Sequence, residues 1–262
     1  MATALITGAS QGIGACIAKR LAKDGYNVAI NHFPSDSDKA NAEKVAEECR
    51  SFGVEAELFA ANVADYAQCE AMTKAVKERF GSIDALVNNA GIGLLSPLEG
   101  LAMDNVREIF ETNTLGTIAM TQAVLPQLRR RQAGVVVNVT SSVTLKPFPL
   151  LSVYTASKAA VNAFTASLAL ELQPFGIRAH LILPGRAPAT RFGENARRRM
   201  SDGVPDAYTD FMANVFAGLR DASSPVTHAD EVAEAVWRAV TDASTPLRLP
   251  AGADAMALAT GA

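Results

Sequence analysis

Short apolar, often β-branched runs alternate with longer stretches of helical periodicity from one end of the chain to the other. The runs cover residues 3–7, 27–31, 56–60, 83–88, 134–140 and 177–183, and the helical stretches 13–23, 40–52, 66–80, 103–131 and 154–172. In the first of these, Ile13, Ile17 and Leu21 share one helical face. Gly25, Gly53, Gly81 and Gly176 each follow a helix, where a left-handed cap favours glycine, and Pro174 stops another. Strand–helix–strand alternation predicts a parallel sheet with helices on both faces, a doubly wound Rossmann-type α/β fold. No linker, repeat or low-complexity tract interrupts it, so one domain over 1–262 is expected. Residues 186–225 carry weak strand signal, and a structureless stretch of about forty residues in a domain is usually a lid or binding segment. A helix over 229–240 and a short apolar run near Leu247 close the fold.

Composition narrows the function classes. Hydrophobic residues make up 49% and charged ones 19%, which suits a sizeable core and excludes global disorder. With 24 Lys plus Arg against 27 Asp plus Glu, the net charge of −3 argues against a nucleic-acid binder. Cys16, Cys49 and Cys69 show no Cys-x-x-Cys spacing, so neither a disulfide scaffold nor a metal site is expected, and packing is their expected role. No run reaches the roughly 18–20 apolar residues of a membrane span, and no basic-then-apolar leader precedes Gly8. A cytoplasmic setting is therefore expected.

Between the first strand and first helix the chain reads Thr7-Gly8-Ala9-Ser10-Gln11-Gly12-Ile13-Gly14. Gly8 suits a tight turn, Gly12 lets a pyrophosphate approach the backbone, and Gly14 lets helix and strand pack closely. The helix start offers free N–H groups and a positive dipole end. A glycine pattern alone also fits an ordinary turn; the strand before it and the helix after it favour a dinucleotide.

Tyr154 and Lys158 stand four apart on a predicted helix and share a face. Taken alone, such a pair is usually a rim tyrosine and a solvated lysine. An unperturbed phenol titrates near ~10 and is a poor proton donor or acceptor at neutral pH. A cation about 4 Å away contributes on the order of 4 kcal/mol at an effective dielectric of 20, roughly three pKa units before desolvation. Lys158 is therefore expected to bring Tyr154 towards neutrality, where general acid–base work is efficient.

The Gly-x-x-x-Gly-x-Gly spacing resembles the opening of the short-chain dehydrogenase/reductase family, and the resemblance runs from about Thr3 to Gly185. Asn88-Asn89-Ala90-Gly91 is similar to the family's Asn-Asn-Ala-Gly segment, Asn113 to its helix asparagine, and Tyr154-Thr155-Ala156-Ser157-Lys158 to its Tyr-x-x-x-Lys. Ser141, thirteen before Tyr154, matches the active-site serine, with Ser142 the neighbouring alternative. The resemblance implies that Tyr154 exchanges a proton with the substrate oxygen, Ser141 hydrogen-bonds that oxygen, Asn113 holds a water in a proton relay, and Lys158 also binds the nicotinamide ribose. It implies further cofactor contacts from Gly8, Ser10, Gln11, Gly12, Ile13 and Gly14, from Asn62 and Val63 beside the adenine, and from Asn89, Ala90, Gly91, Pro184 and Gly185. No metal is implied. Relatives commonly form homodimers or homotetramers through the helices at about 103–131 and 154–172; the small residues Ala159, Ala163, Ala166 and Ala169 suit such packing or an internal contact.

An acidic residue about 20 positions past the glycines binds the ribose 2′-hydroxyl of NAD. Here the second strand ends Asn31-His32-Phe33, and the family's selecting Asp aligns with His32. Nothing there repels a 2′-phosphate, to which His32, Ser35 or Ser37 could donate, although Gln11 and Phe33 stand where NADP-using relatives often carry Arg or Lys. Asp36 and Asp38 are close in sequence and do not help. The reading favours NADP(H) over NAD(H), against the alternative of His32 as an exposed strand-end residue without a ligand.

On the substrate side, Val143, Leu145, Phe148, Leu151, Leu94 and Leu95 lie in loops beyond strand ends, and Phe192, Phe211, Met212 and Phe216 in the 186–225 segment. They suit an apolar pocket for a bulky ketone or secondary alcohol, or the packing of a lid on the body. Arg197-Arg198-Arg199 reads as a solvated helix face or a contact for an acidic substrate. The family's threonine four residues past the loop glycine is Ala189 here, with Thr190 one later, and the ending 246–255 lacks the Val-Asp-Gly-Gly of acyl-carrier reductases. Residues before about 90 resemble that acyl-reductase branch, and the C-terminal stretch the steroid and retinoid branch. The expected activity is hydride transfer between a nicotinamide cofactor and a bulky hydrophobic ketone or alcohol. The alternatives are a 3-oxoacyl thioester reductase and a non-catalytic NAD(P)-binding sensor.

Overall fold

Leu5 and its neighbours Ala4 and Ile6 are all buried, yet they face opposite ways, because successive strand residues alternate sides. A strand buried on both faces needs helices above and below it. The computed structural model, which describes residues 1–199, 203–219 and 224–261, shows how they are supplied. The strands β1 (Thr3–Ile6), β2 (Asn27–His32), β3 (Ala56–Ala60), β4 (Ala85–Asn88), β5 (Gly134–Val139), β6 (Ile177–Pro184) and β7 (Arg248–Ala251) form one parallel sheet in the order β3-β2-β1-β4-β5-β6-β7. This is the expected Rossmann-type α/β fold. The order reverses between β1 and β4, so the loops leaving those strands diverge and leave a crevice at their C-terminal ends.

On one face, α1 (Gly12–Lys23), α2 (Asp36–Arg50) and α9 (Ala229–Thr241) bury Ile17, Leu21, Val45, Val232 and Val236 against Ile6, Ile30 and Val137. On the other, α3 (Tyr66–Phe80), α5 (Gly116–Arg131) and α6 (Ser152–Leu172) bury Met72, Val76, Val124, Leu128 and Leu168 against Leu5, Leu86 and Val136. Cys49 and Cys69 are buried and Cys16 half-buried, all as free thiols. Burial pushes the Cys49 thiol up to about 12. No helix among the described residues is long and apolar enough to cross a membrane.

Four features depart from expectation. The second helix starts at Asp36, not 40, because Ser35 caps it by accepting from the Asp38 N–H at 3.2 Å, ahead of the first apolar position. The expected helix over 103–131 is α4 (Met103–Phe110), a five-residue π turn (Glu111–Leu115) and α5. Within 186–225, expected to be irregular, lie α7 (Phe192–Arg198) and α8 (Thr209–Leu219). Met212, Val215, Phe216 and Leu219 of α8 recur at helical spacing and pack with Leu95, Leu150 and Ala196. A last helix, α10 (Ala253–Thr260), follows β7.

Candidate active site

The glycine-rich turn leaves β1 and enters α1. Gln11, the residue before α1, makes no side-chain cap, and no acidic residue stands in the first turn, so the helix's first N–H groups and its dipole remain available to an anion. Gly8 sits at φ +61°, and a Cβ there would lie 2.9 Å from the Ala90 Cα. A side chain on Gly14 would overlap the Gly8 carbonyl. Over Gly12, at φ +57°, the nearest group is the Thr190 side chain, 3.7 Å from where a Cβ would be. The turn is therefore a cradle that side chains would fill, which fits a cofactor diphosphate.

Asn89 holds this cradle to the β4 loop. Its Nδ2 donates to the carbonyls of Thr7 (2.9 Å) and Gly8 (3.1 Å), while the N–H groups of Asn89 and Ala90 each donate to Thr7 Oγ1 at 3.0 Å. Asn62 Oδ1 accepts from the Ala64 N–H at 3.0 Å, forming the turn after β3, and the Val63 carbonyl packs against Gly116. Ile13 packs against the core.

At the end of β2, His32 is only 4% exposed, and its Nδ1 donates to the Phe33 carbonyl at 2.8 Å. The alternative of an exposed histidine is thereby corrected. His32 lines a cleft of about 280 Å³ with Pro34, Ser35, Asp36, Lys39 and Ala60. Ser10 Oγ donates to Asp38 Oδ1 at 2.9 Å, and Ser35 Oγ to Asp38 Oδ2 at 3.0 Å. Asp38 and Lys39 thus reach this region, although the sequence alone gives Asp38 no part there and does not mark Lys39. Their signal is position: both lie in the first turn of α2, which the apolar pattern does not reveal.

Tyr154 and Lys158 sit on α6 and are 6% and 4% exposed. Ser141 stands beside the Tyr154 phenol, and its Oγ accepts from the Val143 N–H at 3.3 Å. Lys158 Nζ donates to the Val139 carbonyl at 3.0 Å. A Cβ on Gly91 would lie 3.2 Å from both Lys158 Nζ and Asn113 Oδ1, so Gly91 leaves room beside both. Burial pushes the Tyr154 phenol up to about 12, with the Ser141 hydrogen bond acting in the opposite direction. Burial pulls Lys158 down to about 8. The expectation that Lys158 lowers Tyr154 is corrected: loss of water dominates both groups, and the ammonium is directed to a backbone carbonyl.

Asn113 lies in the π turn and is fully buried. Its Oδ1 accepts from the Ile92 N–H (2.8 Å), and its Nδ2 donates to the Ile92 carbonyl (3.0 Å) and Ser157 Oγ (3.1 Å). Its amide is thus committed to holding the β4 loop against α6. The Phe192 ring lies against Tyr154, with centroids 5.6 Å apart and planes at 57°. Phe192 and Ala196 of α7 crowd Gly93, where a Cβ would come within 2.9 Å of each.

Of the apolar residues expected near a substrate, Leu95, Leu151, Met212 and Phe216 pack α8 onto the body, and Leu94 packs with Ile109 and Val153. Leu145, Phe148 and Phe211 are exposed. Arg197 lies over the Phe216 ring and Arg199 pairs with Glu108 at 3.5 Å; the Arg198 side chain lies outside the described residues. Thr190, not Ala189, faces the glycine-rich turn. Pro184 ends β6, and the Gly185 N–H donates to Thr227 Oγ1 at 3.0 Å.

Comparison with known proteins agrees with this architecture. The family model for short chain dehydrogenase matches residues 2–200. The 3-oxoacyl-[acyl-carrier-protein] reductase FabG of Staphylococcus aureus is 41% identical over 183 residues, covering 70% of this chain and 73% of that protein. Among solved structures, an alcohol dehydrogenase from Thermococcus sibiricus complexed with 5-hydroxy-NADP is 30% identical, with a TM-score of 0.77 over 97% of each chain. A xylitol dehydrogenase bound to NAD+ is 28% identical, with a TM-score of 0.80 over 96% of this chain and 98% of that one. A parallel sheet opening on an uncapped glycine turn, a buried Tyr–Lys pair one helical turn apart and a match over most of the length lead to one assignment: the chain belongs to the short-chain dehydrogenase family, oxidoreductases that use a nicotinamide cofactor.

Proposed function

We propose that this protein interconverts a bulky hydrophobic ketone and its secondary alcohol, with Tyr154 as the acid–base group. The observation that carries the reading is the buried pair of Tyr154 and Lys158 one turn apart on α6, with Ser141 beside the phenol. The nicotinamide cofactor, when bound, supplies or accepts the hydride. Reduction needs a proton at the carbonyl oxygen, and a phenol held near 12 keeps its proton until that oxygen becomes basic. Tyr154 Oη gives up this proton while Ser141 Oγ donates a hydrogen bond to the same oxygen; oxidation reverses both. The Lys158 ammonium, held on the Val139 carbonyl beside Gly91, offers a donor to the cofactor ribose. Asn113 positions the loop that carries Gly91.

Gly8, Ser10, Gln11, Gly12, Ile13 and Gly14 would hold the diphosphate end. Asn62 and Val63 would flank the adenine, and Asn89, Ala90, Gly91, Pro184 and Gly185 the nicotinamide half. NADP(H) over NAD(H) is supported by His32 in place of a strand-end carboxylate and by Lys39 in the adjoining cleft. The segment after β6 acts as a lid, a role supported by the contact of Phe192 with Tyr154 and the approach of Thr190 to Gly12. Homodimers or homotetramers through α5 and α6 are supported by the exposure of Ala159, Ala163 and Leu170 along α6.

Reduced-cofactor consumption against bulky ketones, small ketones and acyl thioesters, with NADPH and NADH in parallel, tests the reading. Turnover of bulky ketones with NADPH is expected. A strong preference for thioesters, the chemistry named for the FabG relative, would replace the ketone assignment. Cofactor binding without turnover on any class would replace it with a sensor.

A further inference from the structure

The two ends of the segment between β6 and α9 meet on one side chain that lies beyond the residues matched by the family model. Asp254, in the first turn of α10, accepts with Oδ2 from the Arg186 N–H and with Oδ1 from Thr227 Oγ1, both at 2.6 Å. Arg186 begins the segment and Thr227 ends it, and the Thr227 N–H donates to the Arg186 carbonyl at 2.8 Å. The Gly185 N–H completes the knot on Thr227 Oγ1 at 3.0 Å. That hydroxyl also lies 3.1 Å from the Ala251 carbonyl, but it has one proton, and the shorter contact to a charged acceptor takes it. Two glycines make the knot sterically possible. A Cβ on Gly185 would overlap the Asp254 carboxylate, and one on Gly252, at φ +99°, would overlap the Thr227 hydroxyl.

The position of this knot gives it consequences. The segment it anchors carries Thr190 over Gly12 and Phe192 against Tyr154. α10 also lies against the turn Ser142–Thr144, next to Ser141. Phe192 lies against the buried Tyr154 ring, so movement of this segment changes the cover over that residue. Its outer contacts include the tilted ring pair with Tyr154, a close approach at Gly93, a donor from Asn105 to the Arg199 carbonyl, the Arg199–Glu108 ion pair at 3.5 Å and the packing of α8 on Leu95 and Leu150. The stems carry two charge-assisted bonds of 2.6 Å, shorter than the partly exposed 3.5 Å Arg199–Glu108 ion pair further out.

We propose that Asp254 is a positioning residue: by clamping both stems it holds the lid over Tyr154 and sets how readily the lid opens. The proposal rests on the lid reading above. Thr227 acts through Asp254.

Hydrogen exchange of the ligand-free full chain tests it independently of turnover. Asp254→Ala and Thr227→Val should each speed amide exchange over 187–199 by about tenfold or more, the scale of a lost charge-assisted hydrogen bond, and leave β1, β4 and β5 unchanged. The double variant should exchange no faster than Asp254→Ala. Asp254→Asn, which keeps one acceptor, should fall between. In parallel, NADPH release, followed by its fluorescence, should quicken by a similar factor. Unchanged exchange over 187–199, an equal rise in the sheet, or faster lid exchange with unaltered NADPH release would each overturn the proposal. If Asp254→Ala fails to fold, Thr227→Val carries the same test. Should the wild-type chain bind no NADPH, the functional reading fails while the exchange result still decides the clamp.

Discussion

Ser10 donates its hydroxyl proton to Asp38 at 2.9 Å, so the glycine-rich turn is bonded to a carboxylate in the first turn of α2 rather than to one at the end of β2. Lys39, the next residue, lines the cleft beside His32. The two charges act in opposite senses on a 2′-phosphate. Asp38→Asn should raise the NADPH-to-NADH ratio of kcat/KM, and Lys39→Ala should lower it. Each change should be about three- to tenfold at low salt, shrinking as salt screens these partly exposed groups. Equal effects on both cofactors would show that neither charge reaches the adenosine ribose.

Tyr154→Phe removes the proposed proton donor and keeps the ring that meets Phe192. General acid–base catalysis contributes on the order of 10²–10⁴-fold, so kcat should fall within that range or further. NADPH binding, measured by fluorescence, should be retained. A sensor would keep its function through this substitution.

Burial of Lys158 has a sign that stability measurements can read. Its folded pKa is about 8, below the ordinary 10.5, so between these values the unfolded chain binds more protons and stability rises with pH. The contribution is present above 10.5 and is lost as pH falls through 8. Lys158→Met removes this dependence. The variant's stability relative to wild type should therefore be greatest near pH 7 and decline by pH 9.5, with a ceiling of about 3 kcal/mol for the full shift. Tyr154, raised to about 12, and the buried thiols Cys49 and Cys69, raised to about 12 and about 11, work the other way at high pH, but they are common to both proteins and cancel in the difference between variant and wild type. A flat difference in urea midpoints from pH 7 to 9.5 would contradict the burial argument.

What could be read from the residues, and what could not, follows from distance along the chain. The strand runs, α1 and α3 are written in local periodicity, and the glycine roles in a pattern of eight residues. Asn113 could be marked by likeness, but its grip on Ile92 depends on a π turn, which no 3.6-residue period announces. The pattern of Met212, Val215, Phe216 and Leu219 was visible as helical spacing, yet the polar residues around it obscured α8. Asp254 meets Arg186 across 68 positions, and nothing near either residue points to the other. Burial also reversed the expected direction of Tyr154, because the charge of Lys158 was legible while the depth of its site was not.

The Asn113 amide offers the sharpest stability test. Three of its hydrogen bonds close on groups with little access to water, two of them the N–H and C=O of Ile92. Asn113→Ala would leave both Ile92 groups and Ser157 Oγ short of a partner, and a buried polar group without one costs about 1–3 kcal/mol. Water entering the vacated space offsets part of this, so a loss of about 2–4 kcal/mol in urea unfolding is expected. Asn113→Asp keeps an acceptor for the Ile92 N–H but faces the Ile92 carbonyl with a second oxygen, so it should be no better tolerated. Its activity should fall as well, because the loop it holds carries Gly91 beside Lys158. A variant with wild-type unfolding but reduced kcat would show instead that the asparagine acts on the reaction directly and that Ile92 is held by the remaining contacts of its loop.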